Sequence, residues 1–105
     1  MPFSSAKFGV GQLVHHKRFD YRGVIIDVDP QFNGSDTWYE RAARSRPPKD
    51  RPWYHVLVDG SDMQTYVAER NLEPDESEEP IRHPDVEVYF SDLTDHGYIS
   101  RSKCN

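Results

Sequence analysis

Apolar residues fall in short clusters broken by polar turns, with none of the three-and-four spacing that marks a long helix. Leu13-Val14-His15-His16 opens the first cluster behind Gly9 and Gly11, and Lys17 to Arg22 is polar and turn-like. The clearest strand is Gly23-Val24-Ile25-Ile26-Asp27-Val28-Asp29-Pro30. Its β-branched side chains suit a pleated surface, and proline, which has no N–H to give a ladder, ends it. Trp53 to Val58 reads as a third strand, Asp59-Gly60-Ser61-Asp62 has the composition of a hairpin turn, and Met63 to Ala68 returns as a fourth. Asn71-Leu72 closes with a short fifth. Residues two apart share a strand face, so Val24, Ile26 and Val28 are expected to lie buried together against Tyr54, Val56 and Val58. This pattern predicts a mainly β fold, a small antiparallel barrel or sandwich.

Two segments depart from the pattern. Residues 31–52 form a long insertion between the second and third strands, in which Asp36 is expected to cap a short helix carrying Trp38, Tyr39 and Ala42, ended by Pro47-Pro48. Connections of that length are usually functional or mobile. Residues 73–80, EPDESEEP, hold five acids and no large apolar group, and read as a solvated linker. Beyond it, His83-Pro84 is placed to start a short helix with Val86, Tyr89 and Phe90 on one face, and RSKCN reads as a frayed tail. The expected division is a β-barrel domain over residues 1–75 and an acidic linker, short helix and tail over 76–105.

Charge changes the picture. The net charge is −5, yet residues 1–53 carry nine Lys/Arg against six Asp/Glu, and the rest carry four against twelve. Polyanion binding depends on cations displacing counterions, so only the first half is suited to it. Lys17, Arg18 and Arg22 flank the first turn, and the insertion contributes Arg41, Arg44, Arg46, Lys49 and Arg51. Together with aromatics such as Phe19, Tyr21 and Trp38, these suit phosphate and base contacts at one rim of a barrel, although charged loops also serve solubility alone. Of them, Lys17, Arg18, Arg22, Lys49 and Arg51 are the candidate nucleic-acid contacts. Trp38 and Tyr39 are the large apolar groups of the insertion, and with Val86, Tyr89 and Phe90 of the tail helix they are the candidate protein interface. A helix that short does not stand alone in water. It is expected to dock on its own barrel, on a neighbouring subunit of a homo-oligomer, or on a partner.

Other chemistry finds little support. His15, His16 and His55 would meet only if the first and third strands were neighbours, and neighbouring strand residues point to opposite faces, so no three-ligand metal site is expected. Cys104, near the C-terminus, lacks the enclosed setting of a nucleophile, and the acidic linker lacks the defined carboxylate spacing of an acid–base pair. No catalytic residue and no cofactor are expected. MPFSSAKF has no apolar run of the signal-peptide kind, no stretch approaches a membrane span, and the lone cysteine rules out an intramolecular disulfide, which together point to the cytoplasm.

The blocks KFGVGQLVHHKRFDYRGVIIDVDP, WYE, KDRPWYHVLVDG and TYVAERNLEPD, in that order, resemble the HspQ family of small bacterial heat-shock proteins, also called YccV-like or hemimethylated-DNA-binding. The resemblance covers nearly the whole chain, and the HPDVEVYF…DHGY tail is similar to the branch with a short C-terminal helix. It implies an SH3-like β-barrel, no enzymatic activity, and two roles. One is modulating the ATP-dependent protease Lon, as a specificity-enhancing factor or as a substrate. The other is binding DNA, particularly hemimethylated DNA. The protease role comes first for an acidic protein, DNA binding second, and a Tudor- or SH3-like interaction module of other function third.

Overall fold

The computed structural model describes residues 6–101. Seven strands and two short helices follow one another as β1 (Leu13–His16), β2 (Arg22–Asp29), α1 (Asp36–Ala42), β3 (Trp53–Val58), β4 (Gln64–Ala68), β5 (Leu72–Pro74), α2 (Val86–Tyr89), β6 (Phe90–Thr94) and β7 (Gly97–Ser100), with a 3₁₀ turn at Glu69–Asn71. The first five strands make one antiparallel sheet in the order β4-β3-β2-β1-β5, and β6 and β7 pair separately. No helix among the described residues is long and apolar enough to cross a membrane.

The expected strands form, but the sheet does not close into a barrel. β4 and β5 remain its two edges. β5 is only three residues long, and its ladder is with β1, through Val14↔Pro74 to His16↔Leu72. Across the open seam, side chains take the place of a ladder: the hydroxyls of Tyr21 and Thr65 lie 2.7 Å apart.

Both faces of the sheet are covered, which a curled sheet with one interior would not require. On one face Phe8, Val14, Ile25, Tyr54, Val56, Val67 and Leu72 form a core. On the other, Leu13, Val24 and Leu57 pack beneath Ile81 and Phe90. That is why Val24 and Ile25, adjacent in sequence, are both fully buried. The register slips between Ile25↔Val56 and Asp27↔His55, so Ile26 is the extra residue of a β-bulge. The slip moves Val28 to the Ile25 face, while Ile26 stays half-buried beside Val24. The shared face predicted for Val24, Ile26 and Val28 is therefore broken at the bulge.

The tail also differs from expectation. α2 is a single turn, and Phe90 leaves it to begin a hairpin, pairing with Ser100 while Thr94 pairs with Gly97. The expected helix is thus one turn that passes into a β-ribbon, and Phe90, Leu93 and Tyr98 carry the ribbon onto the sheet, while the RSKCN tail lies outside the described residues beyond Arg101. It seats by backbone as well as side chain. Tyr98 N–H donates to Gly11 O at 2.8 Å, and a Cβ on Gly97 would stand 2.7 Å from that same oxygen. Gly11 and Gly97 both have left-handed φ, +93° and +108°, so glycine is needed on both sides of the contact. The acidic linker is fastened too. Arg22 pairs with Asp75 at 2.9 Å and Asp59 at 3.3 Å, and its guanidinium also donates to Glu79 O.

The insertion is folded rather than loose. Ser35, not Asp36, caps α1, its Oγ accepting from Trp38 N–H at 3.0 Å. Tyr39 is buried with Trp53, Ala43 and Ala68, and its hydroxyl donates to Pro47 O. Trp53 Nε1–H donates to Pro48 O, and Lys49 Nζ stands 4.3 Å from the centre of the Tyr39 ring.

Candidate nucleic-acid interface

The open seam is a groove of about 680 Å³ that wraps the edge strand β4. The end of β1 and the turn after it line one side with His16, Arg18, Phe19 and Tyr21, and α1 and its following loop line the other with Trp38, Arg44 and Pro47. Two stretches far apart in sequence thus bring one arginine each to the same depression.

Two adjacent histidines shape the turn. His15 bridges two carboxylates, Asp20 at 2.6 Å and Glu73 at 2.7 Å, which ties the turn to β5. The hydrogen bond to Asp20, then that to Glu73, holds its pKa above the usual 6.5. His16 faces inward, and its Nδ1 accepts from Arg18 N–H and Phe19 N–H, both at 3.1 Å. Burial pushes its pKa down, in keeping with a neutral acceptor ring. The His16 ring stacks on Phe19 at 4.8 Å, which leaves Phe19 presented at 70% exposure.

The opposite side rests on packed rings. Trp38 lies 5.6 Å from Tyr66 and 6.0 Å from the buried Trp53. Tyr66 accepts from Asn33 N–H and donates to Asp29 at 2.6 Å. Burial, and then the bond to Asp29, raise its hydroxyl pKa, so it stays a neutral donor. Asp29 also meets His55 at 3.2 Å, and with Asp27 these groups bring three donor atoms within 4.8 Å. The bulge creates this set by placing Asp27 opposite His55. Asp29 already satisfies both Tyr66 and His55, and the cluster reads as the polar support of the ring stack. The metal arrangement weighed from sequence does not form, because β2 lies between β1 and β3 and separates His15 from His55.

The candidate residues divide clearly. Lys17 and Arg18 are exposed on the turn, and Arg18 lines the groove. Arg22 is committed to Asp59, Asp75 and Glu79, and belongs to the structural ties of the linker. Lys49 sits over the Tyr39 ring beside Asp36, outside the groove lining, and Arg51 is exposed just before β3. Arg44, one of five cations in the insertion, is the one that reaches the groove, a choice fixed by where α1 ends. Among the candidate protein anchors, Tyr39 and Phe90 are spent in the protein's own core, and Trp38 and Val86 are half-buried. Tyr89 is exposed, and Val88 and Ile99, not singled out in sequence, join it as exposed apolar groups of the tail. Cys104 lies outside the described residues.

A protein-family model described as "Hemimethylated DNA-binding protein YccV like" matches residues 6–97. The chain belongs to the YccV-like family. The match runs from the segment before β1 to Gly97, so it covers the five-stranded sheet and β6 but stops at the first residue of β7. The family is defined by binding and is not a known enzyme family.

Proposed function

We propose that this protein is a non-enzymatic, cytoplasmic DNA-binding protein whose contact surface is the groove along β4, with hemimethylated duplex as its preferred target. The observation that carries the reading is the convergence of Arg18 and Arg44, from separate segments, on one groove lined with aromatic rings. Lys17, exposed beside Arg18, adds a third cation for phosphate contacts. At a net charge of −5 the protein as a whole does not attract DNA, so binding rests on this local face.

The test is fluorescence anisotropy on unmethylated, hemimethylated and fully methylated duplexes across a salt series. Three phosphate contacts from Lys17, Arg18 and Arg44 give a log–log salt slope of roughly −3. Reversing Arg18 and Arg44 to Glu is expected to flatten it by about two, while reversing Arg82 and Arg101, which lie outside the groove, leaves it within about half a unit. Equal damage from the two pairs refutes the surface.

A second reading is modulation of the protease Lon, and the exposed Val88, Tyr89 and Ile99 on the C-terminal ribbon favour it. Such an apolar contact would be insensitive to salt. Degradation of a Lon substrate in the presence of wild-type protein or of a Tyr89→Ser, Ile99→Ser variant separates the readings, because these changes leave the β4 groove intact.

A further inference from the structure

Within the DNA reading, we propose that the groove takes an unpaired base, stacked on Trp38, Tyr66 and Phe19, and that the protein prefers DNA in which a base is free to leave the helix. A duplex groove is read by a protruding helix or ribbon that enters it. The surface between the turn and α1 is concave, and a concave site accepts something inserted into it.

The lining decides what is inserted. Ring faces reward a partner with a face of its own. Bases inside a duplex offer only their edges, because both faces are already stacked. Of the rings that line the groove, three come from three separate elements, Phe19 from the turn, Tyr66 from β4 and Trp38 from α1, with Tyr21 and Trp53 beside them. Phe19 is the telling one. At 70% exposure it contributes little to the core, yet His16 holds it in place by stacking and by accepting from its N–H. An aromatic held out to solvent by a buried residue is prepared for a partner. Arg18 and Arg44 stand on the two flanks, where they suit the phosphates on either side of an extruded nucleotide.

The test compares three probes of one sequence at fixed salt: a continuous duplex, the same duplex with an abasic site opposite the central adenine, and the single strand. The abasic-site duplex already lacks a pairing partner for that adenine, so extrusion costs it least. The expected result is that it binds roughly five- to a hundredfold more tightly than the continuous duplex, the range of one stacked base. Phe19→Ala and Trp38→Leu are each expected to remove most of that preference. Phe19→Ala should melt within about 2 °C of the wild type, since an exposed ring supports no core, so its effect is not one of misfolding. Equal affinity for the abasic-site and continuous duplexes, or a preference that survives both substitutions, overturns the base site while leaving DNA binding in place. Failure to bind any of the three probes overturns the DNA reading as well.

Discussion

The β-bulge makes a prediction that strand alternation alone would reverse. Ile25 and Ile26 are neighbours of identical composition, and the alternation of Val24, Ile26 and Val28 singles out Ile26 as the core position. The structure makes Ile25 the core residue, 0% exposed among Val14, Tyr54 and Val56, and leaves Ile26 half-buried at the bulge. Truncating either to Ala removes three carbons, worth about 2.4 kcal/mol of transfer free energy when fully buried. At Ile25 a cavity term adds to this, because the fully enclosed site cannot collapse, for a total of roughly 3–4 kcal/mol. At Ile26 the open side admits water and about half the area is at stake, giving roughly 1–1.5 kcal/mol. In a domain of this size, Ile25→Ala should lower the melting temperature by roughly 15–25 °C and Ile26→Ala by less than about 10 °C. Urea unfolding followed by tryptophan fluorescence measures both free energies. An Ile26→Ala cost equal to or above that of Ile25→Ala refutes the register and the two-faced sheet with it.

Arg22→Gln should cost roughly 1–2 kcal/mol, because it leaves the largely buried Asp75 with only the Ser77 hydroxyl and Asp59 with Arg82 alone; a urea-derived cost below about 0.5 kcal/mol would make the pairs incidental. His15 gains stability from protonation in the fold, so its contribution is full below its unfolded pKa of 6.5 and is lost as pH rises through the higher folded value. The melting-temperature gap between wild type and His15→Asn should therefore be wider near pH 5.5 than near pH 8.5, and a flat gap refutes the Asp20–Glu73 bridge. For Asp59, burial raises the pKa, but hydrogen bonds from the Arg82 backbone and side chain, aided by the charges of Arg82 and Arg22, hold it below 3.8. Its contribution is present above that value and is lost as pH falls through the folded one, so Asp59→Asn should narrow its stability deficit as acid titration proceeds below pH 3.8. A chain ending at Pro80 lacks Ile81 and Phe90 and bares Val24 and Leu57, so it should lack a cooperative thermal transition; a normal melt would show the second face to be dispensable.

What the sequence displayed was local. β-branched runs, the Asp-Gly turn and the Pro-bounded insertion placed β1 to β5 and the start of α1 within a residue or two, because each depends on neighbours in the chain, whereas α1 ends at Ala42, before Pro47-Pro48. The bulge was hidden, since Val-Ile-Ile-Asp-Val alternates equally well with or without an extra residue. The ribbon was misread because Val86, Tyr89 and Phe90 fit helical spacing, and the opposing cue, Asp95-His96-Gly97 as a turn between Phe90–Thr94 and Gly97–Ser100, gains weight only once a sheet face needs cover. Cations were legible as a class but not by role. Only the three-dimensional placement separates Arg22, paired with two carboxylates, from Arg18 and Arg44 in the groove.

The meeting of Gly11 with Tyr98 bears on how the protein is made. During synthesis the strands β1 to β5 emerge first, yet Leu13, Val24 and Leu57 have no cover on their second face until the ribbon follows. The hydrogen bond from Tyr98 N–H to Gly11 O joins the ribbon to the segment before β1, so a later-made segment completes an earlier one. Contacts so distant in sequence form slowly, and until they form an apolar sheet face lies open to chaperones and proteases. A stalled or truncated chain therefore displays that face permanently, whereas a finished chain displays it only briefly. The ribbon thus governs how long the second face of the sheet stays open once β1 to β5 have paired.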